Sequence, residues 1–312
     1  MTREGEPRPP PRVAVLLSTY NGEAFLDAQL ASLAAQSGVT VEVFARDDGS
    51  SDATLAGLAR YAHLWPALAS PMGGRNLGPA ASFLELLRLA PAAFDFYAFC
   101  DQDDVWTPEK LARAVETLGD DPAPALYCSS VLIVDRELRP LGPHLVSGDS
   151  RFEHLLFENI AFGNTVVMNA AAARAVRAHA PEQGVIMHDW WCALVIAGVG
   201  RVVFDPRPGV LYRQHQANSI GASRSRAAEA LALARSFWRD PGAFYPIHGQ
   251  ASECLRLFGD QLPSEPRRLL ERLVKSKRNL IARLGFALLA PVIRARRIDA
   301  LIARALIIVG LY

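Results

Sequence analysis

The chain has 312 residues, 50% of them hydrophobic and 21% charged, which fits one large globular domain or a domain with an appendage. A formal net charge of +1 offers no electrostatic case for nucleic acid. The charge is uneven: from Glu265 to Tyr312 eleven Lys/Arg face three Asp/Glu, a local +8 that leaves −7 for the rest.

Residues 1–11, with Pro7, Pro9, Pro10 and Pro11, read as a disordered leader without a hydrophobic signal segment. Val13–Leu17 is a continuous apolar run suited to a strand buried on both faces. Thr19-Tyr20-Asn21-Gly22 ends it, and Phe25, Leu26, Leu30 and Leu33 recur at helical spacing. Val39–Ala45 reads as a second strand, halted at Asp47-Asp48-Gly49-Ser50, with a helix over Asp52–Ala62. Phe94–Cys100 is a third apolar run, stopped by Asp101-Gln102-Asp103-Asp104. Further strands are expected at Ala125–Val134, Ile160–Met168, Arg201–Phe204 and Val210–Arg213, and helices at Trp190–Val199 and Ser223–Trp238. Strand, polar turn and helix in alternation predict an α/β protein with a mostly parallel, Rossmann-like sheet and helices on both faces. Ligands in such sheets sit beyond the carboxyl ends of the strands, where these polar turns fall.

Cys100, Cys128, Cys192 and Cys254 form no CxxC pair, so zinc-type spacing is excluded and buried free thiols in a reducing compartment are expected. No run of about 18 apolar residues exists, so no membrane span is expected and the protein reads as cytoplasmic. There is no GxxxxGK[ST] loop, and Gly73-Gly74 belongs to no GxGxxG pattern, which leaves P-loop enzymes and dinucleotide dehydrogenases unsupported.

The aspartates at two strand ends have two readings. Asp is favoured at helix N-caps and in turns, which accounts for one carboxylate per turn. Three carboxylates in four residues repel one another, and a divalent cation shared with a substrate diphosphate would relieve that.

The string Val13–Gly22 (VAVLLSTYNG), followed by Arg46-Asp47-Asp48-Gly49-Ser50-Ser51-Asp52, resembles family 2 glycosyltransferases with the GT-A (nucleotide-diphospho-sugar transferase) fold. Cys100–Trp106 (CDQDDVW) resembles their DxD segment, in a form similar to bacterial rhamnosyltransferase-like enzymes of surface polysaccharide assembly. Arg75-Asn76-Leu77-Gly78, Phe162-Gly163-Asn164, His188-Asp189-Trp190-Trp191 and Tyr212-Arg213-Gln214-His215 follow in the expected order, so the resemblance spans Val13–Gly221. Ser51 stands where Thr is commoner, and His188 where Glu is usual.

The resemblance implies an inverting transfer of a sugar, rhamnose as the guess, from a UDP- or dTDP-sugar to a glycan or lipid-linked acceptor. It places Thr19, Tyr20 and Asn21 along the nucleotide pocket, with Asp47 or Asp48, the latter favoured, accepting from the base. Arg75 and Asn76 would lie near the nucleotide, Asp101 at ribose or sugar hydroxyls, and Gly163 where the donor approaches the backbone. Asp103 would hold Mg²⁺ or Mn²⁺, with His215 as a further metal contact or a phosphate contact. Asp189 would be the general base, with Trp190 and Trp191 offering apolar surface to a sugar ring. Asn164 and Arg213 are weaker candidates; His144, His154, His179 and His248 receive no role. A hexosyl or N-acetylhexosaminyl transferase is the alternative enzyme. A catalytically silent sugar-binding subunit should lack one of Asp103, Asp189 and His215, and this chain has all three.

The expected organisation is a transferase domain over residues 12–222 and a helical extension over 223–312. In the latter, Leu269, Leu273, Leu280, Leu284 and Leu288 recur at helical spacing with Lys and Arg opposite. A basic amphipathic helix suits the inner face of the plasma membrane, as a peripheral contact through residues 265–312. Packing on the catalytic domain, or on a second copy in a homo-oligomer, is the other reading.

Overall fold

The computed structural model describes residues 9–144, 148–179, 181, 184–215 and 246–312. The expected helix over Ser223–Trp238, the domain boundary at 222/223 and most of the leader lie outside them.

Strands β1 (Arg12–Thr19), β2 (Thr40–Asp47), β3 (Phe96–Cys100), β4 (Val105–Trp106), β5 (Ala125–Val134), β6 (Pro140–His144), β7 (Val167–Asn169) and β8 (Arg201–Arg213) form one mixed sheet. Its order is β2-β1-β3-β7-β5-β8-β4, with β6 beside β5. β1 pairs in parallel with β2 and β3, and β5 with β8. The short β7 runs against both β3 and β5, so β1, β2, β3, β5 and β8 point one way. Their carboxyl ends, from Asp47 and Thr19 across Cys100 to Val134 and Arg213, therefore share one edge of the sheet.

Helices α1 (Glu23–Ala34), α2 (Thr54–Arg60), α3 (Pro79–Leu89), α4 (Lys110–Leu118), α5 (Phe152–Leu155), α6 (Ala170–Ala178) and α7 (His188–Val199) cover the two faces. The alternation of β1 explains how. Val13, Val15 and Leu17 join Leu26, Leu30, Leu58, Leu111 and Leu118 in one core. Ala14 and Leu16 join Phe83, Leu86, Val176, Trp191 and Ile196 in the other. Every residue from Val13 to Leu17 is fully buried, as a central strand covered on both sides requires.

Four helices follow residue 246: Ile247–Phe258, Ser264–Ser276, Leu280–Leu289 and Arg297–Val309. Ile247, Cys254, Phe258, Leu270, Leu273, Phe286 and Ile307 enter the second core, on the α7 side.

Three expectations need correction. Ile160–Met168 is not one strand: Gly163–Thr165 is a 3-10 turn, and only Val167–Asn169 pairs with the sheet. The stretches Arg201–Phe204 and Val210–Arg213 are one strand, β8, whose register against β5 shifts between Ser129 and Val131. Pro206 and Pro208 fall within this irregularity, which absorbs them without ending the strand. The leucine pattern over Leu269–Leu288 spans two helices, the second capped by the Asn279 side chain, which accepts from Ala282 N–H. All four cysteines are buried and free.

Candidate active site at the carboxyl edge of the sheet

The turns after β1, β2 and β3 are tied to one another. Thr19 Oγ1 donates to Asp47 Oδ1 at 2.9 Å. Asp47 also accepts from Ser50 N–H at 2.8 Å and from Ser50 Oγ at 2.6 Å. Asn21, at φ 49°, receives Ser51 N–H on its Oδ1 at 2.8 Å and donates its own N–H to Ser50 Oγ at 2.9 Å. Asn tolerates this left-handed conformation better than most residues. Tyr20, half exposed at the rim, exchanges two 2.9 Å hydrogen bonds with the Gln102 side chain through its backbone N–H and C=O. A Cβ on Gly22 would lie 2.1 Å from Gln102 Oε1, so glycine is what admits this clasp.

Asp48 is buried, ion-paired with Arg46, and accepts Leu77 N–H at 2.9 and 3.0 Å on its two oxygens. Gly78 N–H adds a 2.9 Å bond. Gly78 has φ 76°, a conformation that suits glycine, and opens α3. Asp48 thus pins the Arg75–Gly78 loop, on which the Arg75 and Asn76 side chains are exposed. Asn76 Oδ1 accepts from Gly78 N–H at 3.0 Å.

Beyond β3 the aspartates divide. Asp104 is fully buried, accepts from Asn164 Nδ2 and takes Arg213 N–H at 2.9 Å, which joins this turn to the end of β8. Burial, with Asp103 adding repulsion, pushes its carboxyl up to about 7. Asp101 is pushed well up by burial and then by the charges of Asp104, Asp103 and Asp189. Asp103 faces His215, whose Nε2 lies 2.9 Å from Oδ2. The His215 ring stacks on Phe25 at 4.6 Å, and the Arg213 guanidinium lies over the same ring at 4.8 Å. Behind this turn Lys110 Nζ is buried 3.3 Å from the Trp106 ring centroid, and burial lowers its pKa to about 7.

The helix expected from Trp190 begins at His188, so Asp189 is the second residue of α7, and Met187 holds the cap position. Its Oδ1 accepts from Trp190 N–H at 2.6 Å and from Asn159 Nδ2 at 3.2 Å. Burial raises its carboxyl to about 7 against the lowering of these bonds. Gly163 brings the 3-10 turn against it: a Cβ there would stand 2.8 Å from His188 Nε2 and 3.5 Å from Asp189 Oδ2. Trp190 is half-buried with its indole N–H on the Leu155 carbonyl at 2.5 Å, whereas Trp191 is wholly core.

The structure therefore links the residues singled out in the sequence along one strand-end edge. Thr19, Tyr20, Asn21 and Asp47 cluster with the Gln102 turn. Asp48 lies beside Arg75–Gly78. Asp101, Asp103, His215, Gly163 and Asp189 line the adjoining stretch. Phe25, Gln102 and Asn159 were not anticipated. Nothing in their local patterns marks them, because each acts through a contact 30 or more residues away, or, for Phe25, through a ring contact with the far end of β8.

Asp103 and His215 supply one carboxylate and one imidazole within reach of a single ion. Among the described residues no group of three His, Cys, Asp or Glu gathers as a complete metal cage. Two protein ligands suit a cation that takes its remaining ligands from diphosphate oxygens and water, as Mg²⁺ and Mn²⁺ do.

The chain is similar in sequence and in fold to known proteins. The dTDP-rhamnosyl transferase RfbG of Shigella flexneri is 27% identical over 237 residues, covering 71% of this chain and 80% of that protein. A Mycobacterium tuberculosis protein of unassigned function is 29% identical over 249 residues, and the match spans 66% of its length. The crystal structure of Staphylococcus aureus TarS 1-349 in complex with UDP-GlcNAc superposes with a TM-score of 0.57 over 95% of this chain and 81% of that one. At 18% identity that likeness shows the fold, which is GT-A-like. The model of Glycosyl transferase family 2 matches residues 14–176, more than half of the sequence and all of the turns after β1, β2 and β3, so the chain belongs to that family.

Proposed function

We propose that this glycosyltransferase inverts the anomeric centre of a UDP- or dTDP-sugar, rhamnose being the first candidate, and delivers it to a glycan or lipid-linked acceptor of the cell surface. The observation that carries the reading is Asp189: a buried carboxyl, held by Asn159 and raised to about 7, whose charge is felt by Asp101 in the same turn as Asp103, the partner of His215. A base poised near working pH takes the acceptor proton as the new bond forms on the face opposite the leaving diphosphate.

The remaining residues divide the work. Thr19, Tyr20 and Asn21 border the nucleotide. The base N–H goes to Asp48, which can exchange for it the Leu77 N–H now shared between its two oxygens, while Asp47 keeps the turn. Arg75 and Asn76 close over the nucleotide, Asp101 meets ribose or sugar hydroxyls, Gly163 leaves room for the donor, and Trp190 borders the acceptor sugar. Asp103 and His215 would hold the divalent ion, which supplies charge neutralisation for the departing diphosphate. Residues 12–222 would form the transferase proper and 223–312 the extension. The place of work is the inner face of the membrane, where lipid-linked acceptors lie. Support for the sugar comes from the rhamnosyl transferase relative; the TarS complex with UDP-GlcNAc favours an N-acetylhexosaminyl donor as the second reading.

Thermal denaturation with a panel of UDP- and dTDP-sugars, with and without Mn²⁺, tests the proposal, because a ligand of the folded state raises Tm by mass action. One donor should stabilise in a metal-dependent way. Stabilisation by none would refute the reading.

A further inference from the structure

The helix Ser264–Ser276 places Leu269, Leu270 and Leu273 in the core, so its apolar face is spent on the protein itself. The next two helices behave differently. In Leu280–Leu289, Phe286 and Ala287 are buried, while Ile281 is 82%, Leu288 73% and Leu289 77% exposed, with Leu280 and Leu284 also open. In Arg297–Val309, Ala303 and Ile307 are buried, while Ile298, Leu301, Ile302 and Val309 are exposed. Leu280, Ile281, Leu284 and Leu288 share one stripe opposite Phe286, with Leu289 beside it, and Ile298, Leu301, Ile302 and Val309 share one stripe away from Ala303 and Ile307. The two helices pack together: Arg304 of the second donates to the carbonyls of Ala287 and Ala290 in and just after the first, and Lys277, ahead of both, reaches the Gly310 carbonyl at 2.9 Å. Two adjoining helices thus turn large aliphatic side chains away from one shared core.

We propose that these outward stripes form a docking surface for an anionic lipid bilayer, on which the helix pair lies in the interface plane. Two observations select a bilayer. The first is charge: from Lys277 to Tyr312 there are seven Lys/Arg and a single acid, Asp299. Arg278 at the start of the first helix, and Arg296 and Arg297 at the start of the second, are exposed, and no ion pair among the described residues engages them. Apolar stripes with guanidinium groups at the helix starts match acyl chains beneath anionic headgroups. A second copy docking by two-fold symmetry would instead set this basic surface against itself. The second is length: helices of 10 and 13 residues extend about 15 and 20 Å, short of the roughly 30 Å hydrocarbon thickness. No described helix is long and apolar enough to cross a membrane, so the pair lies on the surface.

The test is flotation of the full chain with vesicles of phosphatidylcholine alone or with phosphatidylglycerol. The parent should bind the anionic vesicles and lose binding as salt rises. Ile281→Ser/Leu288→Ser/Leu301→Ser, at exposed positions where folding should survive, should reduce the bound fraction at least tenfold. Arg278→Gln/Arg296→Gln/Arg297→Gln should erase the preference for phosphatidylglycerol. Equal binding by parent and triple-serine variant would overturn the proposal. So would failure of the parent to float, or a lipid-free dimer that the triple-serine change dissociates. Tm of each variant, and its shift with donor, are read in parallel. Both should match the parent, which separates a failure at the membrane from a failure of the transferase reading.

Discussion

Asp189 combines two properties that water-exposed aspartates lack: its carboxyl is raised to about 7 by burial, and its orientation is held by Asn159. A base must be ionised to accept a proton. The rate should therefore fall about tenfold per pH unit below about 7 and level off above it, as read from the pH profile of kcat/KM. Asp189→Asn should lower kcat by about 10²-fold or more and leave the donor-induced Tm shift intact. Normal turnover by that variant would assign the base elsewhere. The Asn159 hydrogen bond favours the ionised form, so its loss raises the pKa further. Asn159→Ala should move the ascending limb of the same profile to higher pH, whereas an unmoved limb would leave Asn159 with a structural part only.

At the level of elements, the sequence disclosed what is written in continuous runs. Val13–Leu17 and the fully buried Phe96–Cys100 read as central strands because both faces are covered. The aspartate turns read as a ligand edge because Asp stops strands. Whatever depends on partners distant in the chain was not legible. The two-residue β4 exists through its pairing with Val210 and Leu211, and the Gly163–Thr165 turn hides inside an apolar run. The motif around Asp48 implies a base contact, while its partners in the structure, Arg46, Leu77 and Gly78, lie largely outside its own turn and are not announced by it. The junction of α7 and β8 depends on a similar hidden contact: a Cβ on Gly200 would fall 2.0 Å from the Pro124 carbonyl oxygen. That atom is backbone and cannot swing aside. Gly200→Ala should cost on the order of 1–3 kcal/mol, seen as a lower Tm, while donor-induced stabilisation persists. An unchanged Tm would show that the α7–β8 junction adjusts freely.

Across the whole molecule, one sheet direction does most of the positioning. Five strands end at a common edge, and turns far apart in sequence meet there. The helices after residue 246 cover one face and leave an apolar, basic flank outward. The Asp103–His215 pair, proposed to hold the metal, is the joint of this arrangement, because Asp103 follows β3 and His215 follows β8, separated by 112 positions and 2.9 Å. The most direct measurement is calorimetric titration of the nucleoside diphosphate whose sugar stabilises the protein, with Mn²⁺, into the parent, Asp103→Asn and Asp189→Asn. Metal-dependent binding should be present in the parent and in Asp189→Asn and fall at least tenfold in Asp103→Asn. Equal affinity for all three proteins, or affinity indifferent to Mn²⁺, would contradict a metal–diphosphate site at this edge.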